Sequence, residues 1–132
     1  MPAAMPPAFT ARTREQLGPD KLLVVALGMV VDPDADRART AARDGVAAGL
    51  ARSPSKAAAL THLGFTTEEI DAVSDRLVDA LAGHGSPDRN AALIREHLNA
   101  GADHVALIPG GADVGANLKQ LELVAPALAD LV

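Results

Sequence analysis

No cysteine, tryptophan or tyrosine occurs in this 132-residue chain, and phenylalanine occurs only twice, at Phe9 and Phe65. The missing thiols exclude disulfides and thiolate chemistry. The scarcity of aromatic rings removes the stacking platforms that single-stranded nucleic acid needs. Positive charge is also short, with 12 lysines and arginines against 17 acids and a net charge of −5. Nothing is gathered into a basic block, so binding to nucleic acid is not expected. The most apolar run, Leu22 to Val31, is well under the roughly 20 residues that cross a bilayer. The opening residues, MPAAMPPAFTARTREQLG, carry prolines and charges but no apolar core of a signal peptide. A cytoplasmic protein with no membrane partner is the expectation.

What the chain does have is small apolar residues. Alanine supplies much of the 48% hydrophobic content, so helices are expected to pack closely with no dominant anchor. Residues 1–9 read as a disordered or extended lead, and Thr10 to Leu17 as a short helix with Thr10 as its N-cap and Gly18-Pro19 as its stop. LLVVALGMVV (22–31) is rich in valine and lacks polar alternation, the pattern of a strand buried on both faces. Asp32 or Asp34 then caps a helix through residue 52, with Ala38, Ala42, Val46 and Leu50 as its inner stripe. Ser53-Pro54 restarts a second helix that ends at Gly64.

GFTTEEI (64–70) carries the strongest local signal. Thr66 and Glu69 have capping-box spacing, and Phe65 is placed to staple onto Ile70. A helix over 74–82 follows, ended by Gly83, and Ser86-Pro87 opens another whose buried face is Ala91, Ile94 and Leu98. A second strand spans His104–Ile108. The last helix begins near Asn117 with Leu118, Leu121, Val124 and Leu128 as its apolar face, and Pro126 interrupts it. Strand, helices, strand, helix is α/β logic with parallel strands and a long crossover.

Candidate chemistry is sparse. Asp32, Asp34 and Asp36 alternate like a calcium loop, but Arg37 stands at the turn-glycine position and Arg43 at that of the bidentate glutamate. They read as helix-capping acids. His62, His84, His97 and His104 form no i, i+4 pair and no HExxH; His97 reads as a solvated helix residue. PGGADVGAN (109–117) has the glycine spacing of a phosphate loop, but Ala116-Asn117 replace its Lys-Ser/Thr. What remains is a glycine-bearing loop at a helix N-terminus, open to an anion or simply a flexible connection. No nucleophile elbow and no local carboxylate pair is present.

Four pieces, in order, resemble the C-terminal part of the bacterial luciferase-like monooxygenase family, particularly its oxidoreductases dependent on the deazaflavin coenzyme F420. They are TREQLGPD (13–20), DPDADRARTAAR (32–43), SDRLVDALAGHG (74–85) and IREHLNAGADHV (94–105). The resemblance implies a partial (β/α)8 TIM barrel over residues 10–132, about the last two βα units, with 53–72 as a helical insertion. It implies F420, or alternatively FMN, as cofactor, and a small organic molecule as substrate in hydride transfer or monooxygenation. The barrel mouth lies at the C-terminal ends of strands, which places Val31-Asp32 and Pro109, Gly110 and Gly111 nearest the cofactor. Of these, Pro109, Gly110 and Gly111 are the expected cofactor contacts, and no catalytic residue or metal ligand is carried over. Most cofactor contacts in the family come from strands outside this stretch, so the isolated chain is not expected to hold a complete active site. The rival expectation is a non-catalytic α/β module whose open strand edges pair with another copy or a complementing chain.

Overall fold

The computed structural model describes residues 1–131. Helix α1 (Pro7–Leu17) leads into strand β1 (Val24–Val31), followed by α2 (Ala35–Arg52), α3 (Ser55–His62), α4 (Thr67–Ala72) and α5 (Asp75–Leu81). Then come β2 (Ala82–Gly85), α6 (Pro87–Asn99), β3 (His104–Pro109), α7 (Val114–Val124) and a 3-10 helix (Ala125–Leu131). The class is the expected one: α/β, with a parallel sheet and helices, like part of a (β/α)8 barrel. The sheet has three strands in the order β2-β1-β3, one strand more than the sequence announces.

That order has a consequence for the site. In a closed barrel each strand pairs with the next, whereas here β2 and β3 flank β1 on either side. Leu27 of β1 clusters with Leu93 and Ile94 of α6, while Val30 packs against the cluster holding Ala42 and Val46 of α2. Leu27 and Val30 are three apart in a strand, so they face opposite sides. Helices therefore cover both faces of β1, and the chain reverses direction across the sheet between β1 and β3. Such a reversal opens a crevice at the C-terminal strand ends.

Local chemistry sets most helix starts. Asp34 accepts N–H bonds from Asp36 and Arg37, both at 3.1 Å. Ser74 and Ser86 do the same for α5 and α6. Thr66 and Glu69 exchange both bonds of a capping box, and the Phe65 ring also takes the Arg76 guanidinium 4.4 Å from its centre. Each cap is worth about 1 kcal/mol. Helix α1 starts earlier than expected, at Pro7. Thr10 is therefore inside it and caps nothing; its buried hydroxyl lies 2.9 Å from His97 Nδ1. His97 is itself buried, not solvated, because α1 packs across α6. Ahead of α1, Ala3 bridges to Ala26 alongside β1.

The main core joins Val46, Leu60, Leu77, Val78 and Leu81 under α2 to α5. Arg43, paired with Asp75 and donating to the Val73 carbonyl, and Arg39, facing Asp79, tie α2 to α5. At the N-terminal ends of the strands Arg14 binds the carbonyls of Gly18, Lys21 and Gly101 and the Asp103 carboxylate. Among the described residues no helix is long and apolar enough to cross a membrane.

Three expectations need correction. Gly83 does not end a helix; it lies in β2, AGHG, which is buried throughout. Strand β3 is apolar but not buried, with alternate residues exposed, because among the described residues no helix packs over that face. The last helix starts at Val114, capped by Asp113, and of its apolar residues Val124 is buried while Leu118 is 56% and Leu121 37% exposed.

Candidate functional site at the strand ends

The C-terminal ends of the strands are laced together by residues from two helices and a loop. Asn90 of α6 donates to the carbonyls of Val30, Gly85 and Ser86. Its amide thus spans the ends of β1 and β2. Gly83 makes room for it: a Cβ there would lie 2.4 Å from Asn90 Oδ1. Gln120 of α7 accepts the Val31 N–H at 2.9 Å, and the Asp32 N–H bonds the Gly85 carbonyl at 3.1 Å.

Asp32 is not available as a base. Arg37 grips its carboxylate with two bonds of 2.6 and 2.7 Å. Those bonds, with the Asp34 N–H, hold the carboxyl below the ordinary range. The glycine loop is similarly committed. Gly110 N–H donates to Met29 O and Gly111 N–H to Asn117 Oδ1, each at 2.8 Å. The Asp113 carboxylate takes the Ala116 N–H at 2.8 Å. An anion at the start of α7 would therefore displace Asn117 and meet the charge of Asp113, so the phosphate-loop likeness has no free donors from these glycines behind it.

Below the strand ends, a cleft of about 250 Å³ runs between the sheet and α2. Pro109 and Gly110 form one lip of it; Gly111 does not reach it. Gly28 lies in its floor, Gly45 and Gly49 in its helical wall, and Arg52 and Lys56 also line it. A cleft this size is smaller than the 300 Å³ or more that encloses a drug-sized ligand. It can receive a ring system but not a whole extended cofactor.

A second cluster lies at β2. His84 is 3% exposed and its Nε2 is 2.7 Å from Asp79 Oδ1. Burial raises the Asp79 carboxyl pKa, but the His84 bond and the Arg39 charge outweigh it, and the net shift is downward. A carboxylate only accepts, so Nε2 donates to Asp79, which leaves Nδ1 as the ring's other nitrogen. That nitrogen is sealed from solvent and has no partner among the described residues. His84 and Asp79 also line a separate cavity of about 180 Å³ between β2 and α6. Among the described residues, no group of three or more His, Asp or Glu converges to hold a metal.

These features define an α/β domain with a crevice at parallel strand ends. No protein-family model matches the sequence, and neither does any curated protein. Among solved structures the chain is similar to an F420-dependent secondary alcohol dehydrogenase, determined in complex with an F420-acetone adduct. The TM-score is 0.63 at 19% identity, over 96% of this chain and 41% of that one. The chain thus spans about two fifths of the length of that enzyme, and at this identity the likeness establishes the fold.

Proposed function

We propose that residues 10–132 are the C-terminal portion of a luciferase-like oxidoreductase. In this reading they help to hold F420, with FMN as the alternative, for hydride transfer to or from a small organic substrate. The observation that carries the reading is the fold likeness to an F420-dependent enzyme over almost the entire chain. The four ordered sequence pieces support it independently. The bound deazaflavin would supply the hydride. Pro109, Gly110 and Gly111 would stand beside it, and the cleft lip fits one edge of a ring. The size of the cleft leaves the rest of the cofactor to other segments. The chain's own part is then to wall the ring and exclude water, with no proton-transfer residue of its own.

The test is titration of the purified chain with F420, following deazaflavin fluorescence, with FMN in parallel. Saturable but weak binding, as befits a chain that walls only one edge of the ring, is the expected result. Absence of binding by both cofactors would remove the cofactor role from this chain.

One observation favours the rival reading of a pairing module. Val114, Leu118 and Leu121 are exposed on α7 at i, i+4, i+7 spacing, and Ile108 on β3 is 55% exposed. The His104 and Gly110 N–H groups point to β1, so by alternation those of Val105 and Leu107 face the outer edge. Pro109, at the same outward position, has no N–H to offer, as befits an edge strand. On this reading the chain associates with a second copy, and light scattering at rising concentration reports it. A monodisperse monomer at high concentration that melts cooperatively would reject it.

A further inference from the structure

The glycines of the cleft raise a question that the oxidoreductase reading leaves unanswered. Glycine is the poorest former of helix interiors after proline and weakens strands. Yet Gly45 and Gly49 lie within α2 and Gly28 within β1. None of the three has a positive φ. Nor does crowding demand them: a Cβ at Gly28 or Gly45 would meet nothing within 4 Å, and one at Gly49 would meet only Lys56 Nζ, at 3.7 Å. Their side-chain space is left as cleft.

The cationic part of the cleft points to what fills it. Lys56 is half-buried against the Gly49 wall, and Arg52 lies beside it. Neither forms an ion pair among the described residues, although most other arginines are paired. Burial, and then the Arg52 charge, lower the pKa of the Lys56 ammonium. An ammonium drawn partly out of water with only another cation nearby lacks the compensation that buried charge ordinarily has. An anion would provide it.

We infer that the cleft between α2 and the sheet binds a flat, apolar small molecule carrying one carboxylate, its ring on Gly28, Gly45 and Gly49 and its carboxylate on Lys56 and Arg52. The glycines give a thin ring close approach to both walls, and the two cations select charge over a neutral analogue. The inference stands apart from the deazaflavin reading, because it needs neither that cofactor nor any further segment of chain.

The experiment uses 2-naphthoate and its neutral counterpart 2-naphthamide as probes, followed by the backbone amide shifts of Gly28, Gly45 and Gly49. Expected is saturable binding of both by the wild-type chain, naphthoate about tenfold more tightly, as a charged hydrogen bond supplies. Lys56→Met should weaken that preference, Lys56→Met with Arg52→Met should erase it, and both should leave naphthamide binding unchanged. Gly28→Val, which grows into open space in a strand, should abolish binding of both probes with no loss in Tm. The inference is overturned if naphthoate does not saturate, if Gly28→Val binds as tightly as wild type, or if Lys56→Met with Arg52→Met keeps the preference. F420 titration is scored separately, so either reading can fail while the other stands.

Discussion

The two edges of the sheet invert the usual relation between sequence and burial. Strand β2, AGHG, contains no large apolar residue, yet all four positions are buried. Strand β3, HVALIP, is almost wholly apolar, yet alternates between exposed and half-buried. The difference is cover. Helices α2, α5 and α6 all press on β2, and only small residues fit beneath them. Over the β3 face that carries Ala106 and Ile108 no helix packs closely among the described residues, and Ile108 borders the open cleft. Burial is therefore a property of neighbours.

The sharpest way to break this contrast is to truncate a leucine at each side. Leu77, fully buried in the main core, should lose about 3 kcal/mol on change to alanine, by lost transfer energy and the cavity left behind. Leu118→Ala on exposed α7 should change stability by no more than about 0.5 kcal/mol. Urea denaturation of both variants decides it, and comparable losses would show that the α7 face is covered in solution.

A subtler probe is Gly83. Adding a methyl there drives it into the Asn90 side chain, which clamps the ends of β1 and β2. Gly83→Ala should lose about 1–3 kcal/mol by overpacking, visible as a lower Tm. A neutral effect would mean that Asn90 moves freely and does not fix the strand ends.

The legibility of this molecule follows the same divide between local and distant causes. Helix starts at Asp34, Thr66, Ser74 and Ser86 were readable because a cap is written within four residues. Strand β2 was not, since AGHG has neither β-propensity nor alternation and is a strand only because β1 pairs with it. Leu118 and Leu121 had the spacing of a buried face, but periodicity marks an apolar side without saying whether anything covers it. At the site, strand-to-loop logic singled out Pro109, Gly110 and Gly111; the first two line the cleft, and Gly111 does not reach it. Lys56 and Arg52 reach the same cleft from the far end of α2 and the start of α3. No spacing in the sequence joins residues that distant, and Asn90 is hidden for the same reason.

The smallest expected effect concerns pH and the junction of α1 with α6. His97 is buried against Thr10, and burial lowers its pKa from the ordinary 6.5. The folded chain therefore holds this ring neutral where the unfolded chain takes up a proton. Stability contributed above the unfolded value is lost as pH falls from 6.5 towards the folded one, at no more than about 1.4 kcal/mol per pH unit for a single group. The carboxylates with lowered pKa, Asp32, Glu69, Asp79, Asp103 and Asp130, add their own losses only at more acid pH. Their window is separate. His97→Gln keeps a polar partner for Thr10 without a titrating ring, so its stability should be flat where wild type declines. Parallel urea midpoints from pH 7.5 to 5 measure this, and an equal slope in both proteins would place the sensitivity elsewhere.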